Sequence, residues 1–139
     1  MRCEFQWIAP DKLRNVWETI KPGLEATARK APGGWLVEDV YLSIKTGDSV
    51  LHLVTADKYY RGFMVSKTID THEGKKLLLW IMQGSAEGDL MTDNFDQIKE
   101  WAANIGAGKI QFQSPRKGWA RVADKLGFRP TMTIYECDV

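Results

Sequence analysis

The chain has 139 residues, 44% hydrophobic and 27% charged, enough for one domain with a sizeable core over residues 1–139 and too few for two. A formal net charge of +1 offers no global field for nucleic acid or an anionic membrane. No apolar run approaches the roughly 20 residues of a membrane helix, and MRCEFQWIAP lacks the apolar segment of a signal peptide, so a cytoplasmic location is expected by default.

In chain order, residues 4–8 read as a short first strand. Pro10 then opens a helix in which Leu13, Val16, Trp17 and Ile20 share a face. Pro22-Gly23 is expected to break it, with a further helical turn over residues 24–30 before the flexible Ala31-Pro32-Gly33-Gly34. Val37, Val40, Tyr41 and Ile44 repeat the helical spacing up to Gly47-Asp48. Three strands follow, at residues 50–55, 60–67 and 76–83. Their short polar connectors predict adjacent antiparallel pairing. The third, with Leu77, Leu78, Leu79, Trp80, Ile81 and Met82, is apolar on both faces and is expected at the sheet centre under helices on both sides.

From residue 94 the pattern is helix, strand, helix, strand. Phe95, Ile98, Trp101, Ala102 and Ile105 share one helical face, with Asn94 as the expected cap and Gly106 and Gly108 as the stop. Residues 109–113 alternate as a half-buried strand. Ser114-Pro115 reads as the next helix start, Trp119, Val122, Ala123 and Leu126 as its apolar stripe, and Gly127 as its end. Residues 131–135 read as a closing strand. No internal repeat, low-complexity tract or linker divides the chain.

Cys3 and Cys137 lie near opposite ends without metal-ligand spacing and read as free thiols. With only two histidines, no zinc site is expected. His52 shares a strand face with Val50 and Val54 and reads as a satisfied, partly buried side chain; His72 belongs to a polar turn. Arg116, Lys117, Arg121 and Lys125 read as a solvated helix face. Of six tryptophans, Trp17, Trp80, Trp101 and Trp119 fit core positions, which leaves Trp35 as the best exposed or substrate-facing aromatic. No nucleophile elbow or phosphate loop with lysine and serine occurs.

This order, with LLLWIMQG, FDQIKEWAANIGAGKI, SPRKGWARVADKLGF and TMTIYECDV, resembles the GNAT family of acyl-CoA-dependent N-acyltransferases as a divergent member of the kind found in bacteria and bacteriophages. The resemblance implies a single-domain α/β fold of the α+β kind, with a mixed central sheet flanked by helices. The sheet would splay between its fourth and fifth strands, residues 77–83 and 109–113, around the pantetheine arm of acetyl-CoA or another acyl-CoA. It further implies cofactor contacts from Ile81, Met82, Gln83, Gly84, Gly88, Arg116 and Lys117, with the pyrophosphate on helix-terminal amides. Glu87, which could deprotonate an amine, and Tyr135, which could face the cleft from the final strand, are the candidate catalytic residues, each with an ordinary reading beside it: a solvated loop carboxylate, and a strand tyrosine in the core. Trp35, Glu38 and Tyr41 would stand on the side of the amine acceptor, a small molecule or a protein.

Four features depart from the family pattern. In Gln83-Gly84-Ser85-Ala86-Glu87-Gly88 the glycine spacing is altered; Asp89 and Asp93 bring negative charge towards the phosphate position; Arg116 stands where asparagine is usual; and Ala123 stands where a tyrosine acid is usual. Two readings therefore stay open. One is an N-acyltransferase acting by direct attack. The other is a non-catalytic GNAT-fold structural or assembly protein, for example virion-associated in a bacteriophage, working through protein contacts or as a homo-oligomer.

Overall fold

Apolar side chains give each of five segments at least one buried face, and the segments assemble into one sheet. The computed structural model describes residues 1–30, 34–84, 90–115 and 117–139. The strands are β1 (Glu4–Ile8), β2 (Val50–Ala56), β3 (Tyr59–Thr71), β4 (Gly74–Gly84) and β5 (Lys109–Phe112). They lie in sequence order, all antiparallel except for β4 and β5, which run parallel. The helices are α1 (Leu13–Lys30), α2 (Val37–Lys45), α3 (Leu90–Asn104) and α4 (Trp119–Lys125).

Helices cover both faces. Leu13, Ile20 and Leu24 of α1 and Val40 and Ile44 of α2 pack on Leu51, Phe63, Val65 and Ile81. On the other face, Met91, Phe95, Ile98 and Ala102 of α3 pack on Met64, Leu77 and Leu79. Strand β4 is thus buried on both sides, as its run of apolar residues predicts. Each fully buried large side chain in these layers contributes about 1.5–3 kcal/mol.

Several boundaries differ from the sequence expectations. Helix α1 runs through Pro22. Proline there removes one backbone bond, but Ile20 and Leu24 on either side are both fully buried on the same face and hold the helix together. Gly23 serves close approach instead of a break: a Cβ there would lie 2.7 Å from Gln83 Oε1 and 2.8 Å from Phe63 Cε1. Asn94 does not cap α3, which already starts at Leu90; it sits inside the helix with non-helical φ −126° and ψ 15°. Helix α4 starts at Trp119 instead of Ser114-Pro115, since the described residues 114–118 are exposed and add no apolar contact. Gly106 and Gly127, at φ +80° and +85°, end their helices as expected. The closing strand over residues 131–135 is not formed; that segment is exposed and unpaired.

The β2–β3 hairpin turns through Asp57 and Lys58, at φ 52° and 70°. Such mirror-image turns match the twist of the strands but strain residues that carry a Cβ. Lys58→Gly is therefore expected to raise stability by about 0.5–1 kcal/mol. An upward shift of the urea midpoint at unchanged slope would show it, and a fall would contradict it.

Candidate functional site

Strands β4 and β5 pair only from Lys76↔Lys109 to Leu79↔Phe112. There β5 ends, while β4 continues to Gly84. Along residues 80–84 the outer edge of β4 therefore meets no described strand, which leaves a gap in the pairing of the sheet there. The same point carries a β-bulge. Val65 pairs with Ile81 but Ser66 with Leu79, leaving Trp80 as the extra residue. A bulge re-aims neighbouring side chains. Trp80 and Ile81, consecutive in sequence, both join the α1–α2 core, whereas Leu79 and Met82 turn to the α3 side.

The far end of the gap leads towards α3, whose first backbone amides have no intrahelical partner. Met91 there is buried in the core, and Asp93 forms an ion pair with the Met1 ammonium. Gly84 allows contact with this helix start: a Cβ would lie 2.5 Å from Leu90 Cδ1. Gly62 closes β3 on β4 opposite, where a Cβ would fall 2.1 Å from the Gln83 carbonyl oxygen. That clash is with backbone, so Gly62→Ala is expected to part the strands at Gln83 and cost about 1–3 kcal/mol. Thermal unfolding at an unchanged midpoint would refute this.

The expected site residues fall into distinct places. Ile81 is 2% exposed with its side chain in the core, so only its backbone is offered to the gap. Met82 is half-buried against the α3 core, and the Gln83 side chain lies beside Gly23 of α1. Trp35 is half-buried, not exposed, with its ring centroid 6.2 Å from Trp80. Tyr41 packs edge-on to Trp17 at 4.8 Å, and Glu38 is exposed on α2. Lys117 is exposed just before α4. Tyr135 is 90% exposed outside any strand, and no hydrogen bond or ring contact ties it to the gap. Glu87, Gly88 and Arg116 lie outside the described residues.

Two features escaped sequence reasoning. The bulge is set by cross-strand register, which leaves no local signature. Lys67, on β3, places Nζ 3.8 Å from the Trp80 ring centroid, so a cation rests on the aromatic pair that joins Trp35 to β4. An aromatic in a central strand was the only hint.

His52 lies outside the gap. It is 5% exposed on β2, edge-on to Trp101 at 4.8 Å, and burial lowers its pKa to about 4. Contrary to the expectation of a satisfied histidine, Nδ1 has no hydrogen-bond partner. Nearby, at the opposite end of β4, a cavity of about 240 Å³ is lined by Asp48, Ser66, Thr68 and Trp101. Among the described residues no group of His, Cys, Asp or Glu is placed to hold a metal ion, and no helix is long and apolar enough to cross a membrane.

Among the described residues, the mixed five-stranded sheet and four α-helices, with β4 unpaired beyond β5, make the GNAT-like acyl-CoA N-acyltransferase fold. Solved structures share it. A ribosomal-protein-alanine N-acetyltransferase from Brucella melitensis biovar Abortus 2308 superposes with a TM-score of 0.72 at 10% identity, covering 99% of each chain. An aminoglycoside acetyltransferase from an uncultured soil metagenomic sample gives 0.68 at 12% identity, covering 100% of this chain and 99% of the other. A predicted acetyltransferase with acetyl-CoA from Clostridium acetobutylicum gives 0.67 at 15% identity, covering 99% and 96%. No protein-family model and no curated protein sequence matches the chain.

Proposed function

We propose that this protein is an N-acyltransferase that moves an acetyl or other acyl group from CoA to an amine. The observation that carries the reading is the open outer edge of β4 over residues 80–84, beyond the last β4–β5 pair. An extended, amide-bearing arm finds there the donors and acceptors that a sixth strand would use. The residues fit such a group: Ile81, Met82, Gln83 and Gly84 offer backbone, and Lys117 offers a cation. Gly88 and Arg116 complete the proposed phosphate end, with Glu87 as the proposed base, whereas Tyr135, exposed outside any strand, is given no part in the transfer. Trp35, Glu38 and Tyr41 would receive the amine on the face where Trp35 meets Trp80.

When bound, acyl-CoA supplies an activated thioester. The chain's own contribution is positioning, and well-oriented reactants gain on the order of 7–11 kcal/mol of barrier reduction. The acceptor is a small-molecule or protein amine, and the setting proposed is the cytoplasm. Calorimetry with acetyl-CoA and with CoA tests the reading directly. Micromolar to millimolar binding is expected, and silence at high protein concentration would end it.

A second reading rests on Ala123, half-buried on α4 where an acid would stand, together with the exposed Tyr135. It is a non-catalytic GNAT-fold assembly protein, for example in a bacteriophage virion. An acyl-transfer rate that vanishes on altering residues 83–93 would exclude it.

A further inference from the structure

Phe128 is the last anchored residue of the chain. Its ring lies 4.9 Å from Phe112 of β5 and 5.3 Å from Phe95 of α3, and its amide donates to the Ala123 carbonyl at 2.8 Å. Beyond it, residues 129–139 are all exposed, and none hydrogen-bonds to the body of the protein. The composition is not that of a solvated tail. Thr131, Thr133 and Ile134 are β-branched, and Met132, Ile134 and Tyr135 are 82%, 72% and 90% exposed. This is a strand by preference that lacks a partner.

Strand β5 has the complementary defect. It stands last in the sheet and pairs only with β4, so its outer edge carries unpaired backbone groups along residues 109–112. Segment and edge are present once in every chain, and the segment starts beside its own edge without closing on it.

We propose that residues 131–135 of one copy add as a strand to the outer edge of β5 in a second copy, and that the exchange is reciprocal. A two-fold arrangement satisfies both segments and both edges at once. Pro130 lacks an N–H, so the added strand begins at Thr131. Met132, Ile134 and Tyr135 then lose their exposure at the joint.

The full-length chain is expected to show a concentration-dependent monomer–dimer equilibrium in sedimentation. The double variant Met132→Asp/Ile134→Asp, which touches no core contact, should keep the circular dichroism of the parent and weaken dimerisation at least tenfold. In mixtures of differently labelled copies, intermolecular NOEs should connect residues 131–135 to residues 109–112. A monomer at all concentrations, a dimer indifferent to the double variant, or NOEs confined to one copy would each overturn the proposal.

Discussion

Asn94→Ala is expected to lower the free energy of unfolding by about 2–4 kcal/mol, because it strips several partners from a buried polar knot. Asn94 is 0% exposed. Its Oδ1 accepts the Cys3 amide at 2.8 Å and Gln97 Nε2 at 3.2 Å, while Nδ2 donates to the Met1 and Leu90 carbonyls, each at 2.9 Å. Gln97 Nε2 donates also to the Cys3 carbonyl at 2.7 Å. The side chain thereby takes the Leu90 carbonyl at the kink and fastens the segment before β1 to the start of α3. Alanine leaves the Cys3 amide and two carbonyls without these partners. Asn94→Asp keeps the acceptor but sets a carboxylate oxygen, an acceptor, against the two carbonyls that Nδ2 served, so its destabilisation should ease as acid neutralises the carboxylate. Urea denaturation and amide exchange at Cys3 measure both effects. A loss below about 1 kcal/mol for alanine would mean the knot contributes little.

Stability is expected to fall on mild acidification because of His52. Its pKa is about 4 in the folded protein, against 6.5 for the free side chain, with burial as the cause. The unfolded chain therefore binds a proton that the folded one refuses. The stabilisation is complete above pH 6.5 and is lost as pH falls towards 4. Between pH 7 and pH 5 the loss should be about 2 kcal/mol. His52→Phe, which can keep the edge contact with Trp101 and has no unpartnered nitrogen, should remove this part of the pH slope. An equal slope in parent and variant would assign the acid sensitivity elsewhere.

Apolar spacing alone identified most elements of the fold. The Leu77–Leu79 run marked a doubly covered strand, Phe95, Ile98 and Ala102 marked the face of α3, and short polar connectors implied antiparallel neighbours. Breaker residues were less dependable. Pro22-Gly23 and Ser114-Pro115 have local preferences that packing overrode, through buried Ile20 and Leu24 in the first case and the absence of any apolar contact in the second.

The candidate site was legible only as a place. The family resemblance implied an opening between β4 and β5, and the structure ends their pairing at Leu79↔Phe112. Which backbone groups face it depends on the Trp80 bulge, a matter of register between Val65, Ser66 and their partners. Asn94 reads locally as a cap, and its role as a tertiary clamp rests on a segment some 90 residues away.

What the sequence determined by itself was most of the elements and their order, since helix and strand periods are written in which residues are apolar. Tertiary structure decided the pairings: Asn94 with the segment before β1, Trp35 with Trp80, and residues 131–135 with no strand of their own chain. The physical reason is that a strand, a clamp or an aromatic pair exists only with its partner. Partners are chosen by the global packing of distant segments, which no local period encodes.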